Sequence, residues 1–331
     1  MNLLLNSNPI ASFQEVIRDE LERFRDAYRR TLESGHSIID RVVAYLVRSH
    51  GKGIRPTLTL LCARLGSDKV NESAIRAAVI VELLHEATLV HDDVVDEAPL
   101  RRGLPSLPAR FKNKVAVLFG DYMLANVLTE TLSSRDLRWL DILSETARRM
   151  ARGELLEAAR SRRLDMTEAD YLAMIGDKTA ALFNACCRLG GLTGGLPDAM
   201  LEPLGVYGES LGIVFQIRDD WLDIFGDGPG LGKPVGGDLK QRKLTLPVIA
   251  AFNNAGSRET RRHRARIRRG IRRGEVKMVA DFVRKNGGEE YTRRTMNEYA
   301  RQAASALAKL PESPVCALLS ELLEYNLNRG R

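Results

Sequence analysis

Apolar residues recur three and four positions apart along almost the whole of this 331-residue sequence, as in Val43, Leu46 and Val47 and again in Leu58, Leu61 and Leu65. That spacing lays a continuous apolar stripe along an α-helix, whereas on a strand it would scatter the same side chains over both faces. Period-two alternation of β-branched residues is scarce, so the chain is expected to be all-α. Breaks fall at Gly51-Lys52-Gly53, Gly66-Ser67-Asp68, Pro99 to Pro108, Ser133-Ser134, Gly190 to Pro197, Gly226 to Gly237, Asn253 to Gly256, Asn286 to Gly288 and Pro311 to Pro314. Helices of ordinary length between these breaks number about ten to thirteen. No low-complexity linker is long enough to separate independent parts, so a single domain over residues 1–331 is expected.

Composition narrows the class. With 44% hydrophobic and 6% aromatic residues, the chain can build a core and is not a disordered polymer. No uninterrupted apolar run approaches the roughly 18 residues that span a bilayer, and the first residues lack the basic start of a signal sequence. A cytoplasmic protein is the expectation. Cys62, Cys186, Cys187 and Cys316 form no Cys-x-x-Cys pair, and the vicinal pair sits in an apolar helical stretch, so buried thiols are expected rather than disulfides or zinc. The formal charge of +7 is concentrated: nine arginines and one glutamate lie between Ser257 and Arg273, and the rest of the chain sums to −1. With Ile267 and Ile271 four apart, this segment reads as a solvated helix face. Contact with an anionic membrane is its alternative use, and the absence of interleaved aromatic residues argues against nucleic acid.

Two short acidic runs carry the chemistry: Asp92-Asp93-Val94-Val95-Asp96 and Asp219-Asp220-Trp221-Leu222-Asp223. On a helix, Asp92 and Asp96 share a face, as do Asp219 and Asp223; like charges so placed repel unless a cation lies between them. Either run alone reads as a solvated acidic helix end. Two runs, each closing a strongly apolar helix and each accompanied by cations, point instead to a metal. Mg²⁺ takes one or two carboxylates and completes its shell with water and substrate phosphate, so facing pairs would hold a magnesium-diphosphate complex.

The accompanying cations are Arg101-Arg102 after the first run and Lys233 and Lys243 after the second. Lys52 and Arg55 bracket Gly53 just before Pro56, a helix entry where cations and backbone N–H groups can grip phosphate, though an ordinary capped entry has the same look. His85 lies two turns before Asp92 on its face, and Lys178-Thr179 sits among small apolar residues. The stretch Gly226 to Lys233 lacks both the Gly-Lys-Ser/Thr ending of a nucleotide loop and a preceding strand; a lid over an anionic site or a plain surface loop remains.

At these residues the chain resembles the trans-isoprenyl diphosphate (polyprenyl) synthase family. Six blocks agree in order: Gly51-Lys52-Gly53-Ile54-Arg55-Pro56, Leu84 through Asp96, Arg101-Arg102-Gly103, Lys178-Thr179, Gln216 through Asp223, and Lys243-Leu244-Thr245-Leu246-Pro247. The resemblance implies a helical bundle around a deep central cavity, working as a homodimer. It implies that Asp92, Asp96 and Asp219 ligate Mg²⁺, about two or three ions per site, with Asp93, Asp220 and Asp223 in support. Arg101, Lys178, Thr179, Gln216, Lys233 and Lys243 would hold an allylic diphosphate, and Lys52, Arg55, His85 and Arg102 would hold isopentenyl diphosphate. The implied reaction joins the two substrates and releases diphosphate, with no nucleophilic side chain.

Departures from the family pattern are Gly53, where a second cation is common, Glu157 of Gly153-Glu154-Leu155-Leu156-Glu157, where Gln is common, and Arg242, where Gly is common. Beneath the first run, Ala87 and Thr88 are small where short-chain members carry aromatics, so the resemblance is closest to long-chain, hexaprenyl to decaprenyl (octaprenyl-type) members. Alternatives are a short-chain farnesyl or geranylgeranyl diphosphate synthase, a class I terpene cyclase, and the regulatory subunit of a two-chain synthase. The second Asp-Asp-x-x-Asp argues against the last two. A peripheral membrane contact through Arg258 to Arg273 would serve release of a lipid product.

Overall fold

A computed structural model describes residues 9–48, 51–161, 163–226, 235–272 and 274–329. Helices dominate, as the apolar spacing requires, and the all-α expectation holds. They are more numerous than expected because some are only a turn or two long. The chain divides into two compact units, Met1–Ala147 with Ala185–Gly205 and Leu310–Leu319, and Arg148–Asn184 with Val206–Lys309 and Ser320–Arg331.

In chain order the helices begin with α1 (Pro9–Glu15), α2 (Arg18–Leu32), α3 (Ser37–Arg48), α4 (Ile54–Ala63) and α5 (Glu72–Val95). The first unit is built around α5, against which α2, α4 and α7 (Asn113–Ser133) pack. Asn71 starts α5 by accepting a hydrogen bond from Ala74 N at 2.8 Å. From Ala74 to Leu84 the helix is buried almost all round and apolar except for Arg76 and Glu82, each fully buried aliphatic side chain contributing about 1.5–3 kcal/mol. It ends at Asp96, and Pro99 prevents any continuation. By length and composition α7 is the one described helix that could cross a bilayer. One of its faces packs on α5, and the other exposes Val117, Leu118, Leu128 and Leu132.

After α5 the chain makes a small antiparallel hairpin, β1 (Leu100–Arg101) and β2 (Leu104–Pro105), followed by α6 (Leu107–Phe111). Arg102 and Gly103 at its tip have φ of 52° and 80°, the double left-handed turn that matches strand twist. Helical spacing gives no sign of so short a hairpin, which the sequence shows only as a break.

The second unit takes part of α8 (Leu137–Ser161), then α9 (Glu168–Ile175) and a five-residue π-helical turn, Gly176–Ala180, that leads into α10 (Ala181–Thr193). Its core gathers Tyr171, Ile175, Ile217, Leu244, Leu246, Val248, Phe252, Val279 and Val283. These come from α9, α11 (Asp198–Phe225), α12 (Gly237–Lys240) with the turn after it, α13 (Leu246–Asn254) and α15 (Glu275–Lys285). The arginine-rich segment forms α14 (Ser257–Arg268). Ile267 is buried, Arg266 and Arg269 pair with Glu275, and Arg258, Arg261, Arg262 and Arg268 are exposed. The chain closes with α16 (Gly288–Leu307) and α17 (Pro314–Asn328).

Candidate active site

In the first unit the acidic run occupies the last turn of α5 and the residue that caps it. Asp92 and Asp96 lie at the surface, joined along the backbone by Asp96 N donating to Asp92 O at 2.8 Å. Asp93 points inward and is 3% exposed. The hairpin brings Arg101 onto it, Nε at 3.0 Å and Nη2 at 2.5 Å from the same carboxylate oxygen. The middle aspartate is thus occupied by an arginine, and the outer two are the more exposed of the three.

The neighbouring cations are held individually. Arg102 Nη1 and Nη2 donate to Glu86 Oε1 at 3.1 and 3.0 Å, and the guanidinium lies so close to Gly51 that a Cβ there would meet Nη2 at 2.7 Å. Gly51, Lys52, Gly53, Pro56 and Arg102 line an open cleft of about 610 Å³. Gln14 fixes this loop through Lys52 O at 2.8 Å, and Gly53 adopts φ 62°, a conformation glycine accepts without strain. Arg55 Nη1 donates to His85 Nε2 at 2.9 Å, which requires a neutral imidazole with its proton on Nδ1. Burial pushes Arg55 below its ordinary value and, with the nearby Glu86 charge, pushes Glu82 up to about 7. Of the two small residues beneath the run, Ala87 has no exposed surface, whereas Thr88 is partly exposed and donates to His85 O at 2.7 Å.

In the second unit the matching run lies within the last two turns of α11. Asp219 is half-exposed and pairs with Arg329 Nη2 at 2.6 Å. Asp220 is buried and accepts from Tyr171 Oη at 2.6 Å and Gln216 Nε2 at 2.8 Å. Burial and the Asp238 charge hold its carboxyl well above the usual carboxylate range. Asp223 accepts from Gly237 N at 2.9 Å and Asp238 N at 3.1 Å, tying α12 to α11.

Lys178, Thr179, Gln216, Asp220 and Lys243 line one cavity of about 140 Å³, together with Glu157, Asp238 and Thr245. The π turn presents Lys178 and Thr179, and two arginines of α8 hold that turn. Arg149 reaches Gly176 O and Asp177 Oδ1, both at 3.0 Å, and Arg152 Nε reaches Asp177 Oδ2 at 2.5 Å. Extra turns of this kind inside helices recur at functional sites. Gly153 permits the approach of α8, since a Cβ there would lie 2.6 Å from Lys178 N. Thr179 Oγ1 donates to Gln216 Oε1 at 2.9 Å. Thr245 keeps a buried hydroxyl with no hydrogen-bond partner among the described residues. Burial and Asp223 push Asp238 up to about 7. Lys233 lies outside the described residues.

The donor set suits Mg²⁺ coordinated partly by substrate. No group of three or more Asp, Glu, His or Cys side chains converges on a metal position among the described residues. An ion bound through one or two carboxylates plus phosphate does not need such a group. Asp92, Asp96 and Asp219 reach the surface, Asp219 with Arg329 on it, while Asp93 is held inside by Arg101 and Asp220 by Tyr171 and Gln216. Glu86, Glu157, Tyr171, Asp238 and Arg329 could not be read from the sequence as partners of these groups. Arg329 is more than a hundred residues from Asp219 along the chain, and only Glu157 stood out, as a departure from the family pattern.

Comparison with known proteins accords with this geometry. A family model described as polyprenyl synthetase matches residues 36–283, which reach into both units. The chain is 33% identical over 322 residues to octaprenyl diphosphate synthase of Escherichia coli, covering 97% of this chain and 99% of that one. A crystal structure of a decaprenyl diphosphate synthase from Rhodobacter capsulatus matches with a TM-score of 0.91 at 36% identity, covering 97% of this chain and 99% of that one. The polyprenyl synthase from Caulobacter crescentus, solved with calcium and isoprenyl diphosphate, matches with a TM-score of 0.90 at 31% identity, covering 99% and 100% of the two chains. The six ordered blocks therefore mark true kinship, and the chain belongs to the polyprenyl synthetase family.

Proposed function

We propose that this protein is a trans-prenyltransferase that condenses isopentenyl diphosphate with an allylic prenyl diphosphate, releases diphosphate, and makes a long-chain polyprenyl diphosphate. The observation that carries the reading is the second unit's cavity, where Lys178, Lys243, Thr179 and Gln216 line one space with Asp220. Cations beside an acidic metal motif suit a metal-bound diphosphate. The names of the octaprenyl and decaprenyl relatives support the long chain.

Asp92, Asp96 and Asp219 would ligate about two or three Mg²⁺ ions, whose charge stabilises the departing diphosphate. The calcium in the Caulobacter relative supports a divalent ion. Arg101, Lys178, Lys233 and Lys243 hold the allylic diphosphate by charge, while Thr179 and Gln216 add neutral hydrogen bonds. Lys52, Arg55, His85 and Arg102 hold isopentenyl diphosphate. The allylic carbon–oxygen bond breaks with its electron pair leaving on diphosphate, the isopentenyl double bond attacks the allylic carbon, and the proton lost passes to the released diphosphate.

The family match running through both units supports a single synthase domain over residues 1–331. The exposed Val117, Leu118, Leu128 and Leu132 of α7 lie on one stripe and support a homodimer through that face. The exposed arginines of α14 support peripheral contact with anionic membrane, where a lipid product would be released, and the lack of interleaved aromatic residues argues against nucleic acid. The free thiols Cys62, Cys186 and Cys187 support a reducing, cytoplasmic setting.

Incubation of the purified protein with isopentenyl diphosphate, each allylic primer and Mg²⁺, followed by sizing of the products, tests the proposal. Hexaprenyl to decaprenyl products are expected. Products ending at farnesyl or geranylgeranyl diphosphate would establish the short-chain alternative, and absence of condensation with every primer would refute prenyl transfer.

A further inference from the structure

Glu157 occupies an unusual position among the groups that line the second unit's cavity. Its Oε2 lies 2.5 Å from Lys178 Nζ and its Oε1 lies 2.7 Å from Lys243 Nζ. The two lysines come from separate segments, the π turn and the turn before α13, and one carboxylate from α8 joins them. Lys178 Nζ also donates to Glu154 Oε2 at 2.7 Å. Two ammonium groups drawn to one small space repel each other unless an anion lies between them. Burial pushes the Glu157 carboxyl up, but the two ammoniums outweigh it and hold it below its ordinary value, so it remains an anion. A second observation points to an external anion in this place: Thr245 lines the same cavity, is 6% exposed, and has a buried hydroxyl without a partner among the described residues. A bound polyanion with several oxygens could take that donor together with both ammoniums.

We propose that Glu157 is a positioning residue that stands in for the diphosphate: it holds Lys178 and Lys243 at the spacing an anion requires, and competes with bound diphosphate for them. The inference rests on the proposed reading that these lysines bind the allylic diphosphate. Three consequences follow from charge. The carboxylate keeps the empty pair of lysines from splaying apart; it weakens the grip on diphosphate; and after condensation it takes the lysines back as the released diphosphate leaves. Its influence therefore falls on binding and release of the anion, and it takes no part in bond making.

Calorimetric titration of the full-length protein with inorganic diphosphate in the presence of Mg²⁺ separates this role from a merely structural salt bridge. Glu157→Gln keeps the shape and removes the charge, and is expected to tighten inorganic diphosphate at least about tenfold, with deeper product inhibition and a lowered kcat where release limits turnover. Glu157→Asp, with charge kept on a shorter arm, should lie between the native protein and Glu157→Gln; it provides the same ordering if the amide variant does not fold. Lys178→Gln and Lys243→Gln should each weaken binding. Loss of a structural brace never tightens a ligand, so unchanged or weaker binding in folded Glu157→Gln, with both lysine variants weakened, overturns the role of Glu157 alone. Native affinity in both lysine variants overturns the placing of diphosphate in this cavity, and the role of Glu157 with it.

Discussion

The two acidic runs are spelled alike yet are held in opposite ways. In the first unit the middle aspartate, Asp93, is neutralised by the charged Arg101 of a hairpin. In the second, Asp220 is met by neutral donors, Tyr171 and Gln216, and its carboxyl is pushed well above the usual range. The last aspartates differ too: Asp96 caps α5 at the surface, whereas Asp223 receives the N–H groups that start α12. A five-residue pattern fixes which carboxylates share a helix face, and the surrounding segments decide which of them are charged and which are available to a metal.

The largest test of that comparison is removal of the outer carboxylates. Asp92→Ala and Asp219→Ala should each lower turnover by about a thousandfold or more while circular dichroism stays native, equivalent to roughly 4 kcal/mol of barrier. Near-normal turnover in only one of them would show that only the other run binds metal.

Next comes the acid buried beside the first unit's cations. The Glu82 carboxyl is raised from 4.5 to about 7 by burial and by Glu86, against the opposing pull of Arg55 and Arg102. Below its ordinary value it is protonated in folded and unfolded chains alike. As pH climbs through the interval up to about 7 the unfolded chain loses the proton first, so this group's contribution to stability falls and then levels off. Glu82→Gln escapes that loss. Its stability relative to the native protein should rise by about 2.5 kcal/mol between about pH 5 and pH 8, read as the difference in thermal midpoint. A difference independent of pH would show that Glu82 is charged throughout.

The middle aspartates should separate by a smaller amount. In metal-free protein Asp93→Asn leaves Arg101 without its anion and should cost about 1–3 kcal/mol. Asp220→Asn replaces a carboxyl already biased toward its neutral form and should cost less than about 1 kcal/mol. Equal losses of thermal stability would erase the distinction drawn between the two runs.

The finest distinction concerns product length. Thr88 is partly exposed one turn before Asp92, and Ala87 is enclosed in the core. Thr88→Phe is expected to shorten the product with little change in thermal midpoint. Ala87→Phe should also shorten it but overpack the core by about 1–3 kcal/mol. A product ladder unchanged in both variants would remove this wall as the determinant of length.

The helices, their main breaks and the two acidic runs were legible because helical spacing is a local property, and residues four apart meet whatever else the chain does. The short hairpin was not legible, since two-residue strands have no period to display. Nor was the π turn at Gly176–Ala180, which Arg149 and Arg152 grip from α8 across more than twenty residues of chain.

By itself the sequence determined an all-α chain with two carboxylate pairs at a spacing that suits a metal and a set of cations of a kind that suits phosphate. Tertiary structure alone decided how those groups are used. It placed Glu86 on Arg102, Tyr171 on Asp220, Arg329 on Asp219 and Glu157 between Lys178 and Lys243. Such pairings join residues from distant parts of the chain, and the charge of each group depends on burial and on neighbours that only folding brings within a few ångströms.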